Sequence, residues 1–355
     1  MIDPHDAASS PKPRSLLASA ARAARNLAIC LLAFAACCAV LGAILPFPQV
    51  PVVTAKREYL KAHLSEYDTL FIGSSRFVHQ IIPAQFDASL AAAGTPVRSF
   101  NLGVDGMWPP ESLYFLRQIL ALHPPRLKWV VIELLETRPF VEQANSARAV
   151  YWHTTPVTFS LVQNILSMRR PWTFKWEKLR PHLWAWLQRS CNYGCGADWV
   201  TAQTQRSKSE QPFWFTNSGY WAEPDEPIKE GELKQLTANL ESIRQQLPSY
   251  PMRPAFREEF LDCIAAVRRA GAEPVFILSP TVNKFENVRD IPEGAPVLRF
   301  NNPAEYPQLY EPEIYYDSVH LNRAGASLYT DLLAERFLES VVKVQPASRN
   351  QNASR

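Results

Sequence analysis

The sequence lacks a marked excess of charge of either sign. Its formal net charge is +3 over 355 residues, and residues 1–25 contribute +2 of this, so the rest of the chain is nearly neutral. A nucleic-acid-binding surface requires a concentration of basic residues. The composition therefore predicts no nucleic-acid partner, while 47% hydrophobic residues is enough for a large globular core.

Cysteine is scarce outside one apolar N-terminal run, which holds three of the six cysteines. The others are Cys191, Cys195 and Cys263. Cys191 and Cys195 are close enough in sequence to form a small disulfide loop in an oxidising compartment, whereas Cys263 lies in a helical pattern and is expected to be buried. No second pair of cysteines or histidines has the spacing of a zinc site, so we expect no metal and no other cofactor.

The apolar run covers residues 27–47 without one charged residue, which is the length that a helix needs to cross the roughly 30 Å hydrocarbon core of a bilayer. The basic leader, residues 1–26, should remain in the cytoplasm. We therefore predict a single-pass protein of the inner (cytoplasmic) membrane, with a linker at 48–64 and its main domain in the periplasm or outside the cell. A cleaved signal peptide is the alternative, but the run contains no convincing cleavage site.

Short apolar runs alternate with helical patterns over residues 65–343. The predicted strands are 69–73, 97–102, 129–135 and 274–278, and the predicted helices are 57–67, 82–93, 111–122, 257–270 and 324–341. Such alternation is typical of an α/β fold, and we predict a doubly wound (flavodoxin-like) parallel sheet with helices on both faces. Ligands of such sheets bind at the carboxyl ends of the strands. Residues 344–355 are expected to be a disordered tail.

Residues 140–250 interrupt the alternation, and we interpret them as a helical, tryptophan-rich insertion or lid. This segment contains eight of the ten tryptophans, for which buried packing is a commoner use than stacking on sugar rings. Five aliphatic residues near its end share one helical face, so this part is expected to pack onto the core. They are Leu233, Leu236, Leu240, Ile243 and Leu247.

A candidate nucleophile follows the first predicted strand, in the sequence Gly73-Ser74-Ser75-Arg76. A hydroxyl at a strand-to-helix turn lies beside free backbone N–H groups, which favour developing negative charge. Serine and glycine at a turn are also common helix caps, so this motif alone does not distinguish a catalytic Ser75 from a structural one.

A candidate base lies near the C-terminal end, where Asp317 precedes His320 by three residues. A carboxylate that accepts a hydrogen bond from one imidazole nitrogen leaves the other nitrogen available to take a proton from a serine. The pattern D-x-x-H often arises by chance. The two motifs together are a more specific signal than either alone. Both lie at predicted strand ends, and they supply a serine, an aspartate and a histidine in the order Ser75, Asp317, His320.

With these motifs the chain resembles the SGNH (GDSL-like) hydrolase superfamily. The resemblance covers roughly residues 65–140 and 255–340. It implies that Ser75 is the nucleophile of a catalytic triad completed by Asp317 and His320. Ser74 stands where the family usually has aspartate.

The family's second block, N-x-G-x-x-G, is matched by residues 101–106. The resemblance implies an oxyanion site formed by Gly106, Gly103 and Asn101, with the backbone N–H of Gly106 as the principal donor. The third block departs from the family, because its oxyanion asparagine is missing and Glu136 lies near the expected position. A carboxylate cannot donate unless protonated, so we expect Arg76 or Asn101 to complete the site, or catalysis to be weak.

Three other histidines have no carboxylate at a suggestive sequence spacing. These are His79, His153 and His182. We expect structural or surface roles for them.

A membrane anchor combined with these motifs resembles the SGNH-like proteins that work beside membrane-bound O-acyltransferases in modifying cell-envelope polymers. The resemblance implies serine-dependent acyl transfer or ester hydrolysis on an extracytoplasmic substrate, with O-acetyl or other acyl modification of a cell-envelope polysaccharide. A membrane-bound O-acyltransferase is then a candidate partner. A non-catalytic SGNH-fold scaffold or polymer-binding partner is the alternative, and phosphate or nucleotide binding at the Gly73-to-Arg76 turn is a third.

Overall fold

The computed structural model describes residues 13–45, 50–137, 146–194, 200, 218–224, 226, 228–283 and 286–343. It is an α/β structure with a five-stranded parallel sheet and one apolar N-terminal helix. The strands in chain order are β1 (Thr69–Ile72), β2 (Ser99–Asn101), β3 (Trp129–Glu133), β4 (Tyr250–Pro251), β5 (Glu273–Leu278), β6 (Val288–Arg289) and β7 (Val297–Arg299).

The strand order of the main sheet is β2-β1-β3-β5-β7, and every pair is parallel. β4 and β6 form a separate two-stranded parallel sheet. The chain passes from β1 to β2 on one side and then to β3 on the other. At such a reversal the loops after neighbouring strands diverge, which leaves a crevice at their carboxyl ends.

The four predicted strands are confirmed, and their apolar runs have a simple cause. Alternate residues of β1 enter two different hydrophobic clusters, with Leu70 and Ile72 in one and Phe71 in the other. β3 divides in the same way, with Val130 in the first cluster and Val131 in the second. A strand buried on both faces must be apolar at successive positions rather than at alternate ones.

Eleven helices of α type lie in the described residues. They are α1 (Pro13–Ile44), α2 (Pro51–Ala62), α3 (Ser75–Gln80), α4 (Pro83–Ala92), α5 (Glu111–Leu120), α6 (Ala147–Tyr151), α7 (Thr155–Ser167), α8 (Trp172–Ser190), α9 (Glu230–Gln245), α10 (Pro254–Arg269) and α11 (Arg323–Phe337). Short 3-10 helices cover Pro307–Tyr310 and Pro312–Ile314, and a π-helical turn covers Leu338–Val342 after α11.

α1 is longer than the predicted span, because it includes the second half of the basic leader. Within it, Leu17–Ile44 is long and apolar enough to cross a membrane by length and composition. Its side chains are almost all exposed to the surroundings of the protein, with Cys38 as the buried exception in the part whose side chains are described. An exposed apolar helix is what a bilayer-spanning segment requires.

The predicted linker at 48–64 needs correction, since α2 lies within it and belongs to the packed domain. Val53 and Leu60 are buried in the first hydrophobic cluster, and the Lys56 side chain is buried as well. Pro51 begins the helix, where its fixed φ and missing N–H cause no loss. The leading helix is thus α2, and not the predicted 57–67.

The insertion contains α6 to α9 in its described parts. Leu236, Leu240 and Ile243 of α9 are buried in the second cluster, as the helical spacing predicts. Cys195, Trp199 and Trp214 lie outside the described residues, as does the tail at 344–355. The described segment 218–224 returns to the main domain beside β2, where Asn101 N donates to Ser218 O at 2.8 Å.

Candidate active site

Ser75, His320 and Asp317 form one continuous hydrogen-bonded chain. Ser75 Oγ lies 2.8 Å from His320 Nε2, and His320 Nδ1 lies 2.8 Å from Asp317 Oδ2. The other oxygen of Asp317 accepts the backbone N–H groups of Val319 and His320, each at 2.7 Å. The carboxylate is thereby held in one orientation, and it in turn orients the imidazole toward the serine.

The surroundings of Asp317 favour its ionised form. Its partial burial favours the neutral acid, but the hydrogen bonds and charge of His320 outweigh this and lower the pKa of the Asp317 carboxyl. An ionised carboxylate on Nδ1 favours the tautomer in which Nε2 is available to accept a proton. The arrangement has the geometry of a nucleophile, a base and an orienting group.

The turn that presents Ser75 depends on its two preceding residues. Gly73 leaves β1, and a Cβ at this position would lie 2.7 Å from Phe77 Cγ and 2.8 Å from Glu133 Oε2, which excludes any larger residue. The Ser74 hydroxyl accepts the N–H of Arg76 at 3.3 Å and caps α3. Ser75 is therefore the first residue of α3, at the carboxyl end of β1.

Glu133, at the end of β3, occupies the space beside this turn. One carboxylate oxygen accepts the backbone N–H of Ser74 at 2.7 Å, and the other accepts Arg76 Nε at 2.8 Å and the Ser279 hydroxyl at 3.3 Å. Arg76 also donates to Glu286 at 2.5 Å. Burial opposes the charge of Arg76, but Glu286 and Glu133 outweigh it and raise its pKa further.

These contacts exclude Arg76, one of the two predicted substitutes for the missing asparagine. Arg76 is committed to the two carboxylates Glu133 and Glu286. Glu136 lies apart from the serine and forms an ion pair with Arg253. Glu133 was not among the predicted site residues, and its position at a strand end was the available signal.

Asn101 and Gly103 are close to the site, but their polar groups are occupied. The Asn101 side-chain amide donates to Phe77 O at 2.6 Å and to Ile81 O at 3.0 Å, while its oxygen accepts the N–H of Gly103 at 2.9 Å. The expectation that these two residues bind an oxyanion is therefore corrected. Together they fasten the loop after β2 to α3.

The backbone N–H groups of Ser75 and Gly106 donate to no acceptor within the part of the chain that the structure describes. Gly106 has a φ of 64°, a left-handed conformation that glycine adopts without strain. Of the predicted oxyanion residues, Gly106 is the one whose N–H has no acceptor among the residues that the structure describes.

The buried side chain of Lys56 holds the loop after β2 through hydrogen bonds to backbone carbonyls. Its ammonium group donates to the carbonyls of Asn101, Gly103 and Gly219 at 3.0, 2.6 and 2.9 Å. Burial lowers the pKa of Lys56 to about 7, and the nearby Asp105 opposes this decrease. Three carbonyl acceptors match the three protons of the charged group.

His79 lies beside His320, and both of its ring nitrogens contact acceptors, which agrees with the structural role expected for it. Its ring lies 5.7 Å from that of His320, between centroids, and its Nε2 lies 2.7 Å from Asp105 Oδ1. Nδ1 lies 2.8 Å from Trp221 O and 3.4 Å from a Glu223 oxygen. Burial lowers the affinity of His79 for a proton, but Asp105 and Glu223 outweigh it and raise its pKa.

His153 and His182 form a buried pair in the insertion, with 2.9 Å between His153 Nε2 and His182 Nδ1. Burial, reinforced by His182, lowers the pKa of His153 to about 3, so this ring is neutral at ordinary pH. His153 also stacks on Trp152 at 3.7 Å between ring centroids. These contacts support the expected structural role.

A cavity of about 360 Å³ adjoins the loop after β2. Its lining is mainly apolar and includes Val50, Val53, Val78, Val104 and Trp221. Asp105 lies on its wall, whereas neither Ser75 nor His320 does. The cavity is suited to an apolar group, and it is lined by the loop after β2 rather than by Ser75 or His320.

Comparison with protein-family models and with curated protein sequences found no match for the chain. The class of site is therefore defined by geometry alone. A hydroxyl, an imidazole and a carboxylate are in hydrogen-bond contact, and the hydroxyl lies at the carboxyl end of a parallel strand.

Proposed function

We propose that this chain is an SGNH-type serine enzyme that transfers or hydrolyses an acyl group, with Ser75, His320 and Asp317 as its triad. The observation that carries the proposal is the unbroken chain of two 2.8 Å contacts from Ser75 Oγ through His320 to Asp317. Nucleophile, base and orienting group in hydrogen-bond contact are the structural signature of nucleophilic catalysis.

The first half-reaction uses the chain's own groups. Ser75 Oγ attacks the ester carbonyl carbon while His320 Nε2 takes the hydroxyl proton. The carbonyl electron pair moves onto oxygen, and the N–H groups of Ser75 and Gly106 stabilise that oxyanion. When the intermediate collapses, the alcohol leaves with the proton returned by His320, and the acyl group remains on Ser75.

The second half-reaction decides between hydrolase and transferase. His320 takes a proton from the acceptor hydroxyl, whose oxygen attacks the acyl carbon. The bond from the acyl carbon to Ser75 Oγ then breaks, and His320 returns the proton to Ser75 Oγ. Water gives ester hydrolysis, and a sugar hydroxyl gives transfer. Exclusion of water from the site would favour the sugar.

The position of Ser75 in the sheet supports the same proposal. The main sheet has the strand order β2-β1-β3-β5-β7. Alternate residues of β1 and β3 pack into two different hydrophobic clusters, one on each face of the sheet. This supports a doubly wound, flavodoxin-like arrangement with helices on both faces. In such sheets ligands bind where the strand order reverses, which here is beside β1 and β3.

We propose an acylated cell-envelope polysaccharide as the substrate class and a membrane-bound O-acyltransferase as a partner. The support is the combination of an apolar N-terminal helix with the SGNH-like motifs. The basic residues at the start of α1 favour a cytoplasmic N-terminus, so the domain would lie in the periplasm or outside the cell. A domain there has direct access to envelope polymers.

A non-catalytic scaffold is the second candidate, and one observation favours it. The oxyanion asparagine of the SGNH family is absent, and the end of β3 instead presents the carboxylate of Glu133, which cannot donate when ionised. Under this alternative the Ser75 hydroxyl would be present but unreactive.

Labelling with a fluorophosphonate separates the two candidates. The full-length protein in detergent should be labelled covalently, and the Ser75→Ala variant should not. Ser74→Ala is the matched control, because it removes the neighbouring hydroxyl and costs only about 1 kcal/mol of capping. Absence of labelling in wild type and control alike would reject the enzyme and leave the scaffold.

A further inference from the structure

One face of α8 carries exposed aromatic and aliphatic side chains. Trp172, Trp176 and Trp184 expose 63%, 51% and 50% of their surfaces, and Leu183 and Leu187 are exposed beside them. At 3.6 residues per turn these five positions fall within an arc of about 120°. Three large indole rings on one exposed stripe are unusual for a surface that meets only water.

Basic residues accompany the first half of this stripe. Residues 169–180 contain five basic side chains and one acidic side chain, so this short segment has a net charge of +4. The basic residues are Arg169, Arg170, Lys175, Lys178 and Arg180. Within α8, Arg180 falls on the stripe and Lys175 lies about 60° from its edge, whereas Lys178 lies on the opposite side and pairs with Glu177. Exposed aromatic residues with arginines beside them are typical of binding at an anionic membrane surface.

α8 also lies alongside the apolar N-terminal helix. Asn192, just after α8, donates its side-chain N–H to the backbone carbonyl of Cys38 at 2.6 Å, and α1 and α8 are in contact. Cys38 lies six residues before the end of α1 at Ile44, which corresponds to about 9 Å along the axis. A bilayer surrounding α1 would therefore also meet the C-terminal end of α8.

The neighbouring helix α7 packs against α8 and exposes two further apolar side chains, Phe159 and Leu166. The contact of α8 with α1 identifies the bilayer around α1 as the occupant of the exposed face of α8.

We propose that the exposed face of α8 lies in the interfacial region of the bilayer that α1 crosses, with anionic phospholipid as its ligand. Indole rings are favoured at the boundary between headgroups and hydrocarbon, and the exposed Arg169, Arg170 and Arg180 would contact the lipid phosphates. A single span would leave the domain free to tilt, whereas this second contact fixes its orientation. The inference depends on the membrane span and is independent of the chemistry at Ser75.

Quenching of tryptophan fluorescence by lipids with brominated acyl chains tests this contact in the full-length protein. None of the ten tryptophans lies in α1, so quenching in reconstituted anionic bilayers reports on the domain. We expect strong quenching of the wild type and loss of most of the quenched fraction in the Trp172→Phe/Trp176→Phe/Trp184→Phe variant. Phenylalanine keeps the surface apolar while it removes the reporters.

Trp186→Phe is the matched control, because it changes a tryptophan of the same helix outside the exposed arc. Its ring N–H donates to Thr155 on α7 at 3.1 Å. We expect its quenching to remain at the wild-type level. Equal quenching of the triple variant and the wild type would overturn the proposal. Absence of quenching in the wild type would also overturn it, and would leave this face to a protein partner.

Discussion

Arg76 Nε donates to Glu133 Oε1 at 2.8 Å, and both side chains are almost completely buried. The pair joins the turn after β1 to the end of β3. The second oxygen of Glu133 holds the backbone of Ser74, so the position of Ser75 depends on a buried carboxylate in the neighbouring strand.

Replacing Glu133 by glutamine should therefore destabilise the fold and disturb the serine. The substitution removes one of the two carboxylates that balance the buried charge of Arg76. We expect a loss of about 3 kcal/mol in the free energy of unfolding. Urea denaturation measures this loss. A lower rate of fluorophosphonate labelling would show that Ser75 has lost its reactive position. Glu136→Gln, in a more exposed pair with Arg253, should cost less than about 1 kcal/mol. Equal losses in the two variants would contradict this role of Glu133.

Asp317→Asn should slow the labelling of Ser75 by a fluorophosphonate without unfolding the protein. The amide can hold the imidazole in the wrong tautomer, and we expect labelling to slow by about 10³-fold to 10⁴-fold. The measurement is the second-order rate constant for fluorophosphonate labelling. Glu232→Gln is the control, because Glu232 contacts the same loop through the N–H of Ser318 at 3.1 Å. Wild-type rates for Asp317→Asn would count against the triad.

Lys56→Met should destabilise the protein strongly. The change leaves the carbonyls of Asn101, Gly103 and Gly219 without their donor, and we expect a loss of about 3 kcal/mol or more. Urea denaturation checks this value. Lys61→Met, on the same helix but with an exposed side chain, should change the stability by less than about 0.5 kcal/mol. A small effect at Lys56 would mean that the loop after β2 holds its conformation unaided.

His79→Gln should destabilise the protein in a pH-dependent way. The pKa of His79 is raised above its ordinary value of 6.5, so the stabilisation is complete below that pH and is lost as the pH rises through the folded-state pKa. The pKa of Asp105 is lowered below 3.8, because the contacts with His79 outweigh burial, so its contribution is lost only as the pH falls below that value.

The destabilisation by His79→Gln should thus be largest between about pH 4 and pH 6.5 and should decrease at higher pH. Urea denaturation of both proteins over a pH series measures it. His63→Gln is a suitable control, since His63 Nδ1 contacts the backbone oxygen of Tyr59 at 2.7 Å rather than a carboxylate. A difference that stays constant with pH would refute the charged His79–Asp105 pair.

Local sequence determined the elements whose signals lie within a few residues. The apolar runs of β1, β3 and β5 predicted buried strands, because a strand covered on both faces needs continuous hydrophobicity. The 27–47 run predicted an apolar helix, although it did not reveal that α1 begins at Pro13. β7 was not predicted. Its sequence Val297–Arg299 has only two apolar residues before an exposed arginine, which is too short a hydrophobic run to indicate a buried strand.

The sequence by itself determined which residues could supply the chemistry, because the motifs around Ser75 and His320 are local. Only the tertiary structure decided which groups surround them. The carboxylates of Asp105 and Glu223 reach His79 from 26 and 144 positions away, and Glu133 reaches Arg76 from 57 positions away. Such pairs follow from strand order and loop path, which are set by packing of the whole core and not by the spacing of neighbouring residues.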